Sequence, residues 1–172
     1  MPATHHAPTT RPETRIMPRK LISCVRSNGG EILRLGFLTC RIIEDGTNTG
    51  GRVGAIEFTL PPKSAGLPPH WHEKHDETFV VLSGQVRFHD VEGHKIDAGP
   101  GDHVTVPLRA PYKYENVGEI DARFVGTFCP ALYVNSFRLM ETMAGEGMRP
   151  NRETMMEAMS HFGAFPAECM ES

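Results

Sequence analysis

The stretch Gly66–Gly84 has the sequence Gly-Leu-Pro-Pro-His-Trp-His-Glu-Lys-His-Asp-Glu-Thr-Phe-Val-Val-Leu-Ser-Gly, with three histidines and three acidic residues within eight positions. His70 and His72 are two residues apart, so on an extended strand their side chains lie on the same face. Glu77 opens an apolar run, Phe79 to Leu82, that predicts a buried strand followed by a turn. Two imidazoles and a carboxylate brought together by this hairpin form a nitrogen and oxygen ligand set that suits zinc, iron, nickel or manganese.

Composition limits the kinds of partner that the chain can have. With 172 residues, of which 39% are hydrophobic, the chain is long enough for one compact domain with a sizeable core. Its formal net charge of -3 gives no basic surface of the kind that binds nucleic acid. No apolar run approaches the roughly 18 residues of a membrane span. We therefore expect a cytoplasmic protein with neither a nucleic-acid nor a membrane partner.

The pattern along the chain predicts three parts. Residues 1–18 contain four prolines and few apolar side chains, which predicts an arm that is extended or disordered on its own. Residues 19–130 show about ten short β-type runs separated by turns, beginning with Leu21 to Arg26, and this is typical of a jelly-roll barrel. Residues 131–172 change to helical spacing and predict two helices, the second of them capped by Asn151. The fold class is therefore an all-β barrel with an N-terminal arm and two C-terminal helices.

The central stretch also resembles a known family. His70 and His72 are followed by Glu77 after four residues and by Gly84 after six more, and Gly66 precedes them. This order resembles the first motif of the cupin superfamily, whose members hold a metal ion inside a jelly-roll barrel. The resemblance implies that His70, His72 and Glu77 are metal ligands.

A second cupin motif is expected after a short spacer, and it is only partly present. Gly101, Pro107, Tyr112 and Asn116 fall at the expected spacings. Arg109 stands where the family has a glycine, and Tyr112 stands where it places a third histidine ligand. The first motif is therefore nearly complete, whereas the second departs from the pattern at its key position.

This substitution leaves three interpretations of the site. In the first, His70, His72 and Glu77 hold the metal alone, and such a 2-His-1-carboxylate set leaves positions open for substrate or oxygen. In the second, Tyr112 completes the ligand set or lies just outside it as a general acid or base. In the third, the site has lost its metal.

Two further side chains are candidates for binding a substrate. His75 has the same strand parity as Glu77, so it replaces the missing histidine, relays a proton, or faces solvent in a loop. Arg109 holds a substrate carboxylate or phenolate by a bidentate contact, or it is simply solvated.

The turn Thr49–Gly51, the stretch from Gly66 through Phe88 and the two-helix tail are similar to small cupins that resemble quercetin dioxygenases. That resemblance implies a homodimer and a metal-dependent enzyme that carries out dioxygenase-type oxidation of a small aromatic or polyketide-like molecule, with Glu77 or Tyr112 accepting the substrate's proton. One alternative is redox-neutral isomerisation, dehydration, cyclisation or decarboxylation with the metal as Lewis acid. Another is a non-catalytic barrel that binds a small ligand, because one fold supports several functions.

Overall fold

The computed structural model of the protein describes residues 21–167. This part of the chain is dominated by short strands. In chain order they are β1 (Glu31–Arg34), β2 (Thr39–Asp45), β3 (Gly54–Leu60), β4 (Ser64–Ala65), β5 (His70–His72), β6 (Asp76–Ser83), β7 (Val86–Asp90), β8 (Lys95–Ala98), β9 (His103–Val106), β10 (Tyr112–Asn116), β11 (Ala122–Cys129) and β12 (Ala164–Pro166). A 3-10 helix (Ala131–Tyr133) leads into helix α1 (Val134–Ala144), and helix α2 (Arg152–Ser160) follows.

The strands form two antiparallel sheets. Sheet I has the order β1-β2-β3-β11-β6-β9, and sheet II has the order β12-β5-β10-β7-β8, with β4 also paired to β10. Side chains alternate between the interior and the outer face, as β11 shows with buried Phe124 and Phe128 separated by partly exposed Val125 and Thr127. The predicted all-β jelly-roll followed by two helices is confirmed.

The amino-terminal side of the barrel differs from the prediction. Leu21 to Arg26 was expected to be a strand, but this segment has no regular structure, and the side chains of Leu21 and Ile22 are 95% and 100% exposed. The turn that follows does form, since the Gly29 amide donates to the Arg26 carbonyl over 2.8 Å. The residues before it lack a strand to pair with, because β1 pairs with β2 alone among the described strands. The predicted arm, 1–18, lies outside the described residues.

The helices pack their apolar side chains on the barrel. Met140, Met155 and Met159 are buried, as expected for methionines that fill a core. The Asn151 side chain accepts a hydrogen bond from the Thr154 amide over 2.8 Å, which confirms the predicted cap. Of the helices within residues 21–167, neither is long and apolar enough to cross a membrane.

Strand β12 was not predicted. It contains only three residues and pairs with β5, so that Ala164 lies opposite His72 and Pro166 opposite His70. A strand this short shows no alternating pattern, and its pairing depends on how α2 returns the chain to the sheet. The predicted helical tail therefore also contributes an edge strand beside the histidines.

Candidate metal centre

The candidate site lies between the two sheets, where two strands contribute its inward side chains. β5 supplies His70 and His72 from sheet II, and β6 supplies Glu77 from sheet I. Because side chains alternate along a strand, Trp71 points to the opposite face, where its ring lies 5.1 Å from that of Phe165. The two-residue spacing therefore places both imidazoles inside the barrel.

His70, His72 and Glu77 form a compact and fully buried cluster. One ligand atom from each residue lies within 4.8 Å of the others. The three residues are only 0%, 1% and 1% exposed. Two nitrogens and one carboxylate oxygen at this separation could hold a metal ion.

The hydrogen bonds of the imidazoles fit metal binding. His70 Nδ1 lies 2.7 Å from the carbonyl oxygen of Pro68, and since a carbonyl can only accept, Nδ1 carries the proton. His70 Nε2 therefore presents a lone pair, and it has no hydrogen-bond partner among the described residues. Both ring nitrogens of His72 also lack an aligned partner there, although Nε2 is 3.3 Å from Glu77 Oε1. Buried polar atoms normally have partners, so these nitrogens fit ligands oriented by an outer hydrogen bond.

The charge states of the cluster also suit a cation. Burial, together with the neighbouring His72, lowers the pKa of His70 to about 3, which keeps this imidazole neutral. Burial by itself would raise the pKa of Glu77, but electrostatic attraction to His72 and hydrogen bonds from the nearby histidines hold it well below its ordinary value. A neutral imidazole and an ionised carboxylate are the forms that bind metal.

Tyr112 lies at the cluster as a hydrogen-bond donor. It pairs with His70 across β10 and β5, it is 5% exposed, and its hydroxyl donates to Glu77 Oε2. Burial and the charge of Glu77 raise the pKa of Tyr112 well above its ordinary value, which keeps the phenol protonated. A protonated phenol that donates to a carboxylate suits a general acid better than a metal ligand.

His75 lies inside the site, so the interpretation of a solvent-facing loop residue is wrong. It is 3% exposed, and its Nε2 lies 3.1 Å from Glu77 Oε1. Its ring centre is 4.0 Å from that of His72 and 4.3 Å from that of Tyr133. The turn after β5 folds this side chain back beneath the 3-10 helix, where burial lowers its pKa.

Arg109 lies at the surface above the site. Its side chain is 66% exposed and its guanidinium makes a bidentate contact with Glu73. Its φ of 65° is the left-handed conformation that favours glycine, which explains why the family has glycine here. The Arg109 amide donates to the His72 carbonyl over 2.8 Å. Its role in substrate binding stays a prediction.

Sequence reasoning missed Tyr133, which covers the cluster from the 3-10 helix. Its ring centre lies 4.6 Å from that of His72, and the residue is only 2% exposed. No spacing rule pointed to it, because its place depends on how the chain turns back after β11. The one available signal was an aromatic residue soon after the last barrel strand.

An aromatic enclosure surrounds the inner side of the cluster. The gaps between its side chains, counted together with any space open to solvent, total about 170 Å³, and none of them is wide enough for a water molecule. Its walls are Phe58, Leu67, Glu77, Phe79, Tyr112, Tyr114, Phe128, Tyr133 and Phe137. The cluster of candidate ligands therefore adjoins an apolar interior, in which Glu77 is the ionised group.

Comparison with known proteins agrees with this geometry. Residues 56–128, which include the three clustered residues and most of both sheets, match the family model of the cupin domain. This barrel has the cupin fold. Over 116 residues the chain is 30% identical to quercetin 2,3-dioxygenase from Bacillus subtilis (strain 168), a match that covers 67% of this chain and 34% of that protein. The chain thus spans about a third of that relative's length.

Solved structures support the cupin fold. A predicted oxalate decarboxylase from Thermotoga maritima superposes with a TM-score of 0.58 at 22% identity, covering 63% of this chain and 99% of that one. The polyketide cyclase RemF from Streptomyces resistomycificus superposes with a TM-score of 0.56 at 22% identity, covering 63% and 80%. At this level of identity the likeness shows the fold alone.

Proposed function

We propose that this cupin binds one divalent metal ion through His70, His72 and Glu77 and catalyses dioxygenase-type oxidation of a small aromatic or polyketide-like molecule. The observation that carries the proposal is the set of buried imidazole nitrogens without aligned partners beside an ionised carboxylate. The similarity to quercetin 2,3-dioxygenase supports the oxidative reaction. The aromatic side chains beside the cluster favour contact with a largely apolar substrate.

The protein's own residues would prepare the substrate. A bound iron, nickel or manganese ion would supply Lewis acidity and redox chemistry toward dioxygen, and zinc would supply Lewis acidity alone. Glu77 is ionised, so it is the group able to accept a proton from a substrate hydroxyl. Tyr112 holds that carboxylate by donating to Oε2, while His75 contacts Oε1. The aromatic walls exclude water and so strengthen these interactions.

A specific observation favours a second candidate, redox-neutral catalysis. Tyr112 is a protonated phenol hydrogen-bonded to an ionised carboxylate, which makes an adjacent proton donor and acceptor. Such a pair can add a proton at one atom of a substrate and remove one from another, as isomerisation, dehydration, cyclisation and decarboxylation require. If the loaded protein binds small molecules without turnover, a ligand-binding cupin remains as the third candidate.

Metal content tests the proposal directly. We expect purified, untagged protein to contain about one metal ion per chain by elemental analysis, and His72→Ala to lose at least about 90% of it. His103→Ala is the matched control, because His103 is exposed on β9 and should leave the content unchanged. Oxygen uptake is then measured with quercetin on protein loaded separately with iron, nickel, manganese or zinc. Wild-type protein that stays metal-free after reconstitution would exclude the proposal, and turnover without oxygen uptake would favour the redox-neutral candidate.

We also propose that the chain forms a homodimer of three-part subunits, with an arm at 1–18, a barrel at 19–130 and a helical tail at 131–172. Exposed apolar side chains support an interface: Val80 and Leu82 lie on the outer face of β6 at 37% and 44% exposure. The exposed Leu21 and Ile22, which follow the arm in the sequence, provide further apolar surface. Light scattering after size exclusion measures the mass, and a monomer at micromolar concentration would contradict this proposal.

A further inference from the structure

Two buried hydroxyl groups, one in contact with the candidate metal centre and one next to it in the fold, have no aligned hydrogen-bond partner within residues 21–167. They belong to Tyr133 at the end of the 3-10 helix and to Ser136 in α1. The two residues are 2% and 0% exposed, so bulk water does not reach the hydroxyls. Buried hydroxyls are normally paired, and an unpaired one requires an explanation.

The position of Tyr133 connects these hydroxyls with the metal centre. Its ring packs against the imidazoles of His72 and His75, at 4.6 Å and 4.3 Å between ring centres. Its hydroxyl interacts electrostatically with Glu77. Ser136 lies close enough to Tyr133 for its hydroxyl to act on the phenol as a hydrogen-bond partner that lowers the pKa of Tyr133, although the geometry between the two hydroxyls is not that of an aligned hydrogen bond. Two hydroxyls can form only one hydrogen bond with each other, so at least one of the two protons lacks an acceptor.

The surroundings indicate what that partner must be. The enclosure offers aromatic and aliphatic walls and one carboxylate, Glu77. Both carboxylate oxygens already have partners, since Tyr112 donates to Oε2 and His75 lies 3.1 Å from Oε1. No water fits the space in this conformation. What the site lacks is an acceptor oxygen, and a bound small molecule can bring one.

We propose that the hydroxyls of Tyr133 and Ser136 donate hydrogen bonds to an oxygen atom of the small molecule that binds at the metal centre. This inference rests on the proposed function and narrows its substrate to a compound with a carboxylate, carbonyl or phenolate oxygen. Because rings fill the space in this conformation, binding requires the Tyr133 ring to shift while its hydroxyl stays within hydrogen-bond reach of the ligand oxygen. The adjacent Leu132 is 55% exposed, so the 3-10 helix that carries Tyr133 reaches the surface.

The test compares two variants that each remove one oxygen atom. Tyr133→Phe keeps the ring and Ser136→Ala keeps the helix, so both should fold. Tyr114→Phe is the matched control, because Tyr114 lines the same enclosure but its hydroxyl already bonds the Leu67 backbone. Each protein is titrated with acetate in its cobalt-loaded and metal-free forms, by calorimetry and, for cobalt, by visible absorption. Imidazole, a ligand without an oxygen acceptor, is the control titrant.

We expect Tyr133→Phe and Ser136→Ala each to weaken acetate binding about five- to tenfold, as loss of one hydrogen bond does. Cobalt content and imidazole affinity should not change. Acetate affinities equal to wild type in both variants, or no acetate binding to wild type in either form, would overturn the inference. If wild type binds no metal, the proposed function fails, and the metal-free titrations alone decide this inference. The failures of the two proposals can thus be told apart.

Discussion

Replacing Tyr112 by phenylalanine distinguishes two roles of this residue, hydrogen-bond donor to Glu77 and metal ligand, because the two roles predict opposite changes in metal affinity. In the structure the phenol donates to Glu77 Oε2, whereas in the family pattern this position supplies a ligand. Tyr112→Phe removes one oxygen atom and keeps the ring that packs 4.7 Å from His70. The change therefore tests the oxygen alone.

The size of the effect follows from the partner's charge and burial. A hydrogen bond to a buried charged group contributes about 1.5–3 kcal/mol, so the metal-free protein should lose about 2 kcal/mol of unfolding free energy. A bound cation would itself stabilise Glu77, so the loaded protein should lose only about 1 kcal/mol by the same reasoning. The difference, about 1 kcal/mol, requires that the variant bind metal about fivefold more tightly than wild type.

Two measurements check the expected changes in stability and in metal affinity. Urea unfolding with and without metal gives the two stability changes, and competition with a chromophoric chelator gives the metal affinity. Tyr114→Phe, two residues along β10, is the control for loss of a buried phenol away from the ligand cluster. A tenfold or greater loss of metal affinity in Tyr112→Phe would show that Tyr112 is a ligand and refute the donor role. A change below about 0.5 kcal/mol in the metal-free protein would refute the hydrogen bond itself.

Two further predictions concern stability. The pKa of His70 falls from 6.5 to about 3 in the folded protein, so between these pH values the unfolded state binds a proton that the folded state does not. The metal-free protein should therefore lose stability as pH falls from about 6.5 toward 3. Glu77 should add to this loss below pH 4.5, the ordinary pKa of its carboxyl group. Urea unfolding midpoints that stay constant down to pH 4 would contradict the prediction. Arg138 joins α1 to the barrel through Glu31 and Asp45, at 2.6 Å and 3.0 Å, so Arg138→Ala should lower the unfolding free energy by about 1 kcal/mol at low salt and less at high salt. Arg26→Ala is the control: Arg26 is exposed, so its replacement should change the unfolding free energy little. A loss of stability in Arg138→Ala that does not depend on salt would indicate that packing rather than charge is responsible.

The features that could be predicted from sequence depend on local periodicity. Alternation along β5 placed His70 and His72 on one face and Trp71 on the other, and their burial and ring contacts agree. Asn151 could be identified as a cap because its side chain bonds an amide three residues away. Both results follow from backbone geometry over a few residues.

The remaining features depend on contacts between distant parts of the chain. The sequence around His75 is the same whether its side chain faces solvent or the barrel interior. Packing under Tyr133, 58 positions later in the sequence, decides between these two orientations. Leu21 to Arg26 has strand-like residues, but no described strand pairs with it. Tyr133 could not be recognised, because its contact with His72 requires the chain to fold back over the end of the barrel.

The charge of the candidate metal centre favours the same kind of ligand as the unpaired hydroxyls of Tyr133 and Ser136. Metal binding requires imidazole ligands in the neutral form, so His70, His72 and Glu77 as ligands carry a total charge of -1, and a divalent ion would leave a net charge of +1 in a cluster with almost no solvent exposure. An uncompensated charge in such surroundings is strongly unfavourable. Tyr112 does not relieve it, because burial and Glu77 keep the phenol protonated. A bound carboxylate, phenolate or enolate would neutralise the site and provide the oxygen acceptor that Tyr133 and Ser136 lack, so both arguments favour an anionic oxygen ligand over a neutral one.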